Sequence, residues 1–184
     1  MEFMKSNFFT VVLIGLVLSS CASRIDTNIK QKYETKPQIS LNAASVLTRY
    51  DFNPTVKTTG ADQLFSRILV QGLEGWISHR LHPAGQGGVA KITVRDASII
   101  GIPNYSNPQK LEASLDVIIS ILDDKGRVIT QAETSIKRQT NAPRNMTDVE
   151  RKELYQVLTV NVIDTFDSQM ENEILKMMSI INIS

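Results

Sequence analysis

The sequence predicts an α+β fold: a two-layer sandwich of one four-stranded sheet, ordered β-α-β-β-β-α, with two helices on one face. Three observations predict it. Two segments carry their apolar residues in a single stripe at helical spacing. Four others alternate apolar and polar residues with a period of two. The order of these segments lets the first two strands run parallel through a helical connection, while the last three form a meander.

The composition sets the limits. The chain has 184 residues, 42% hydrophobic and 21% charged, which suits one domain and excludes a disordered chain. Lys and Arg total 20 against 19 Asp and Glu, a net charge of +1, so no polybasic nucleic-acid surface is expected. The one Cys excludes an internal disulfide and a Cys-based zinc cluster.

Residues 1–20 read as a signal peptide. Lys5 supplies a positive start, and Met4 is an alternative first residue that would remove Glu2. Phe8 to Leu18 is an 11-residue, mostly apolar run, too short for a membrane span of about 20 residues. It ends in Leu18-Ser19-Ser20-Cys21, which resembles a bacterial lipobox. The resemblance implies cleavage before Cys21 and acylation of that residue, palmitate included. Because Ala22 and not Asp follows, it also implies sorting to the outer membrane, on the periplasmic side. Residues 21–38, polar with Lys30, Lys32, Lys36 and Pro37, read as a flexible tether, and 39–184 as a single α+β domain.

The first strand is expected over 39–50, from the alternation Ile39, Leu41, Ala43, with Asn53-Pro54 ending it. Thr59-Gly60-Ala61-Asp62 opens a helix to about Leu81. Its stripe is Leu64, Phe65, Ile68, Leu69, Leu73, Trp76, Ile77 and Leu81, with Gln63, Arg67, Glu74 and Arg80 placed away from it. Pro83 and Gly85 stop it. The second strand spans 89–100. Its buried phase changes from Ala90, Ile92, Val94 to Ala97, Ile99, which predicts a β-bulge at Arg95-Asp96. A loop over Pro103 to Pro108 leads to the most regular strand, 111–121. Asp123-Asp124-Lys125-Gly126 is a hairpin turn, and the last strand spans 127–138. Thr147 and Glu150 form a capping box. It precedes the ladder Leu154, Leu158, Val162, Phe166, Met170, Ile174, Met178 of a helix over 148–178, about 46 Å long.

Chemistry-bearing patterns are few. His79 and His82 lie at the end of the first helix with no third ligand adjacent, and read as surface or capping residues rather than a metal site. Gly85-Gln86-Gly87-Gly88 follows a helix and precedes a strand, the reverse of a phosphate loop, and reads as a turn. Asp123-Asp124 lacks the further alternating ligands of a calcium loop. Met170, Met177 and Met178 read as core or interface. Met177, Met178, Ile180 and Ile181 are expected beyond the sheet, free for a partner, so truncation after Lys176 should spare folding. No nucleophile elbow is present. The expectation is therefore no catalytic residue, no metal and no cofactor, with Cys21 the one site residue, for lipid attachment.

With these elements in order, the chain resembles uncharacterised outer-membrane lipoproteins of alphaproteobacteria. The resemblance rests on Lys91-Ile92-Thr93-Val94-Arg95-Asp96-Ala97-Ser98 and Asp148-Val149-Glu150-Arg151-Lys152-Glu153-Leu154-Tyr155. It covers roughly 50 to the end. In layout the chain is also similar to the LPS-assembly lipoprotein family and to auxiliary lipoproteins of ABC-type envelope transport. The resemblance implies a non-enzymatic accessory or docking component in envelope biogenesis or in lipid or LPS transport. Its partners would be the membrane, through the N-terminal lipid, and an envelope protein. The alternative is a periplasmic carrier of lipid or another small ligand, which needs an apolar cavity of about 300 Å³ or more.

Overall fold

The computed structural model describes residues 33–52, 61–102, 109–143 and 145–181. The signal segment, Cys21, Asn53-Pro54, Thr59-Gly60 and the Pro103 to Pro108 loop lie outside the described residues. The elements are β1 (Ile39–Leu41), β2 (Ser45–Tyr50), α1 (Ala61–Arg80), β3 (Leu81–Pro83), β4 (Val89–Ile102), β5 (Gln109–Leu122), β6 (Val128–Ala142) and α2 (Asp148–Ile181).

The expected sandwich is present. A four-stranded sheet runs β2-β4-β5-β6. β2 and β4 are parallel and joined through α1, and β4, β5 and β6 form the antiparallel meander. α1 lies over β4, and α2 over β6 and β5, on the same face. That face is lined by Ala90, Ile92, Val94, Ala97 and Ile99 of β4, by the alternating Leu111 to Ile121 of β5, and by Ala132 and Ile136 of β6, all buried. Leu158, Val162, Phe166, Met170 and Ile174 of the α2 ladder press onto it. The register slips between Val94 and Asp96, so Arg95 is the extra residue of a bulge, as the change of apolar phase predicts.

Local signals act as read. Glu150 N–H donates to Thr147 Oγ1 (3.3 Å), and Thr147 N–H donates to Glu150 Oε2 (2.8 Å), closing the capping box reciprocally. In the β5–β6 hairpin, Asp123 accepts from the Lys125 and Arg127 amides, and Gly126 takes a positive φ of 77°.

Three readings are corrected. The first strand is two strands: β1 and β2 belong to different sheets. The cause is a corner at Asn42 to Ala44, where the apolar phase also slips between Ala43 and Val46. There the Ala44 amide turns toward the carbonyls of Gly87 (3.1 Å) and Gly88 (3.2 Å). Gly85 packs against this corner so closely that a Cβ would lie 2.5 Å from the Ala43 nitrogen. Second, the chain leaves α1 at Arg80 straight into β3, which pairs in parallel with β1 as Ile39↔Leu81 and Ser40↔His82. His82 is thus an exposed strand residue, not a helix-terminal one. Third, α2 continues to Ile181, about 51 Å of helix at 1.5 Å per residue, and Met177 near its end is buried in the core with Met178 packed against it. The helix end does not project as free apolar surface at Met177.

β4 is longer than β2, and this creates a backbone problem that sequence reasoning missed. Past Val94 no described strand pairs with that side of β4. The orphaned groups of Ile99 are met by Ser66 on α1: Ile99 N–H donates to Ser66 Oγ at 3.0 Å, and the hydroxyl lies 3.4 Å from the Ile99 carbonyl oxygen. Ser66 is accordingly buried.

Candidate functional site

Among the described residues, the most concentrated buried polar chemistry lies in the seam between α1 and α2. The two helices meet at Trp76 and Phe166, whose rings pack edge-to-face with centroids 4.8 Å apart. One turn past Trp76 on α1, and one residue past Phe166 on α2, the seam turns ionic. Asp167 is 0% exposed and Arg80 is 1% exposed. Asp167 Oδ1 accepts from Trp76 Nε1 at 2.7 Å and from Arg80 Nε at 2.9 Å, while its Oδ2 accepts from Lys36 Nζ. Arg80 Nη2 reaches on to Glu171 Oε2 at 2.7 Å. Among the described residues the Arg80 Nη1 atom is buried with no hydrogen-bond partner.

Burial pushes the Asp167 carboxyl up, but the hydrogen bonds from Lys36, Trp76 and Arg80, with the Arg80 charge, outweigh it and hold the group below the usual carboxylate range. A carboxylate with three donors on it has no role as a free base. What this arrangement does is hold two helices and an N-terminal segment at one point.

That segment begins with Tyr33, which is 1% exposed although it falls in the stretch read from sequence as tether. Its hydroxyl donates to Asp164 Oδ1 at 3.2 Å. Burial, then the charges of Asp164 and Asp167, raise the phenol well above its ordinary value. Lys36 sits 5.8 Å over the Tyr33 ring. Packing of the domain therefore reaches back through 33–38 into the expected tether, and Ile39 and Leu41 continue it as buried residues.

The sequence pattern places Arg80 on the polar side of its helix, and the structure puts it inside. The signal was present: Leu69, Leu73, Trp76 and Arg80 follow one another at helical spacing, so Arg80 continues the buried stripe. Asp167 likewise sits between Phe166 and Met170 on the packed side of α2. Nothing local shows that the two side chains meet, because they are 87 residues apart.

The opposite face of the sheet carries a second ionic band. Arg95, released from the ladder by the bulge, donates to Asp116 Oδ1 from Nη2 (2.7 Å) and Nε (3.1 Å) and also reaches Glu133. Next to it Lys137 Nζ is 2.9 Å from Glu112 Oε1, and Gln139 Nε2 donates to Glu112 Oε2 at 2.6 Å. This face is polar and open to solvent.

The remaining candidates resolve into structure. His79 is half-buried in the last turn of α1. Gly88 has φ +73°, and a Cβ there would overlap the Leu122 carbonyl oxygen, while its amide donates to Asp124 Oδ1 at 2.7 Å. The glycine run and the Asp pair thus fasten one turn to the other. Among the described residues no group of three His, Cys, Asp or Glu could hold a metal ion, and no helix is long and apolar enough to cross a membrane. A hollow of about 300 Å³ is lined by Lys110, Gln139, Thr140 and Asn141, a polar surface setting unlike an apolar ligand cavity.

No family model matches the chain, and no curated protein matches it. Among solved structures it is similar to a minor lipoprotein from Acinetobacter baumannii, at 13% identity and a TM-score of 0.39, covering 74% of this chain and 91% of that one. A candidate lipoprotein from Caulobacter crescentus is similar at 10% identity and a TM-score of 0.34, covering 81% and 96%. A DUF330 family protein from Xanthomonas campestris is similar at 14% identity and a TM-score of 0.25, covering 73% and 91%. These are likenesses at low identity, and their names describe those proteins.

Proposed function

We propose that this chain is a non-enzymatic, lipid-anchored envelope protein, held at the periplasmic side of the outer membrane through Cys21 and serving as a docking component in envelope biogenesis or in lipid or LPS transport. The observation that carries the reading is Leu18-Ser19-Ser20-Cys21 at the end of an 11-residue apolar run, with the chain's single Cys at the position where a lipobox requires it. Two acyl chains suffice for stable attachment, since each buried CH₂ contributes about 0.8 kcal/mol.

The interior favours docking over carrying. Between helices and sheet the residues meet without exposure: Leu73, Trp76, Ile92, Val117, Ile119 and Phe166 are fully buried and fill the space a lipid chain would need. Apart from Arg80 Nη1, the polar groups of the seam named above are committed to one another, which supports a structural use for them.

The test is Cys21→Ser in the full chain expressed in a Gram-negative host. Processing should lose its sensitivity to globomycin, and the precursor should stay in the inner membrane. Normal outer-membrane fractionation of that variant would overturn the anchor. Co-purification of the lipidated protein from membranes then identifies the envelope protein it serves. Recovery of bound lipid with no protein would replace docking with carrying.

A further inference from the structure

The contacts of the N-terminal segment repeat with matching spacing on both partners. Tyr33 and Lys36 are three residues apart, and so are Asp164 and Asp167, the carboxylates they reach. Three residues is about one helical turn. One turn of the incoming segment is therefore laid along one turn of α2 and pinned at two points. The pins differ in depth: Tyr33 is buried, whereas the Lys36 side chain keeps 38% of its exposure. Asp167 keeps two other donors, Trp76 and Arg80, whether or not Lys36 is present. Withdrawing the segment thus leaves Asp167 paired inside the seam, and what opening must overcome is the burial of Tyr33 and its bond to Asp164.

We propose that Tyr33 and Lys36 form a releasable latch that fixes where the anchored chain leaves the domain. The proposal rests on the lipid anchor at Cys21. Tyr33 follows Cys21 by 12 residues, so the latched domain lies within about 40 Å of its anchor even with the chain fully extended. Released as far as Ile39, the first residue of β1, the stretch between anchor and domain is 18 residues and its limit about 60 Å. The latch sets how far from the bilayer the domain can meet a partner, and opening it adds reach without unfolding the sandwich.

The sequence supplies a direct assay. Residues 22–32 contain no Phe, Tyr, Trp, Leu or Met, so Tyr33 is the first chymotryptic site after the anchor, whereas Arg24, Lys30 and Lys32 are tryptic sites ahead of the latch. Full-length lipidated protein is placed on vesicles of phosphatidylethanolamine and phosphatidylglycerol. Release of the fragment beginning at Glu34 is followed by mass spectrometry under chymotrypsin. Trypsin is the control for access to the vesicle surface. Lys36→Ala should accelerate chymotryptic release about tenfold, the scale of one lost charge-assisted hydrogen bond. Tryptic release and the circular dichroism of the domain should stay unchanged. Lys36→Gln, which keeps the stem and removes the charge, should behave alike and stands in if the alanine variant folds poorly. Equal chymotryptic rates for wild type and the folded variant overturn the latch and leave the anchor standing. Failure of the wild-type chain to float with vesicles overturns the anchor instead. The appearance of the Glu34 fragment in solution then still reports whether Lys36 protects Tyr33.

Discussion

Two ionic clusters lie on opposite sides of the same sheet, and the chain uses them differently. In the α1–α2 seam, Asp167 and Arg80 are out of reach of water, joined by Trp76 and Lys36. On the open face, Arg95, Asp116 and Glu133 have a similar set of charges across three neighbouring strands, in contact with solvent. The inventory of groups is alike, and burial separates them. At Asp167 and Arg80 each charge depends on the other, because no water replaces a lost partner there. On the open face water and salt replace the partner at little cost. Charges in the seam therefore specify which helix faces meet, while charges on the open face keep it polar and the sheet from stacking on another.

The largest effect expected from breaking this contrast is at Asp167. Asp167→Ala leaves the Arg80 guanidinium buried beside an empty acceptor and removes the Trp76 partner as well. It should cost about 3–5 kcal/mol of stability, read as a fall in the denaturation midpoint of the protein. A loss below about 1 kcal/mol would mean water reaches the seam.

Next is the end of α2. Truncation after Lys176 removes Met177, which is buried in the core, so stability should fall by about 2 kcal/mol or more, the scale of a large-to-small core change. An unchanged melting temperature would return the helix end to the surface.

The third effect appears only in acid. The Asp167 carboxyl is held below its ordinary value, so its contribution is present above the unfolded-state value of about 3.9 and is lost as pH falls through the lower folded value. Melting temperature followed from pH 7 down to 2 should fall less steeply below about pH 4 in Asp167→Asn than in the wild type. Parallel curves for the two proteins would show that the seam does not contribute to acid sensitivity.

The smallest effect belongs to the other face. Arg95→Ala breaks the Asp116 and Glu133 contacts together and should leave the melting temperature unchanged within measurement error at physiological salt. A clear destabilisation would mean that this band is shielded from solvent.

Much of the fold was legible because its signals are local. The alternation from Leu111 to Ile121 defines a strand whatever it pairs with, and the phase change at Arg95-Asp96 marks the bulge without knowledge of the neighbouring strand. Thr147 and Glu150 cap α2 through a contact three residues long. The seam was less legible. Arg80 lies on the buried stripe of α1, but a charge there reads as surface until the acid that neutralises it is known. Tyr33 and Lys36 read as tether because a polar segment with no apolar period gives no local sign of being held.

By itself the sequence determined the helices, the meander and the hairpin, since each follows from periodicity or a turn within a few residues, and it allowed the first strand pair to run parallel through the connecting helix. It also contains Leu18-Ser19-Ser20-Cys21, the short string on which the proposed anchor rests. Only the tertiary structure decided that 39–50 splits between two sheets, that Leu81–Pro83 forms β3, that Ser66 serves the unpaired edge of β4, and that Arg80, Trp76 and Lys36 converge on Asp167. The physical reason is reach. Backbone preference and side-chain period act over one or two turns, whereas a buried charge is tolerated only where a partner from elsewhere in the chain meets it, and that meeting exists only once the helices are packed.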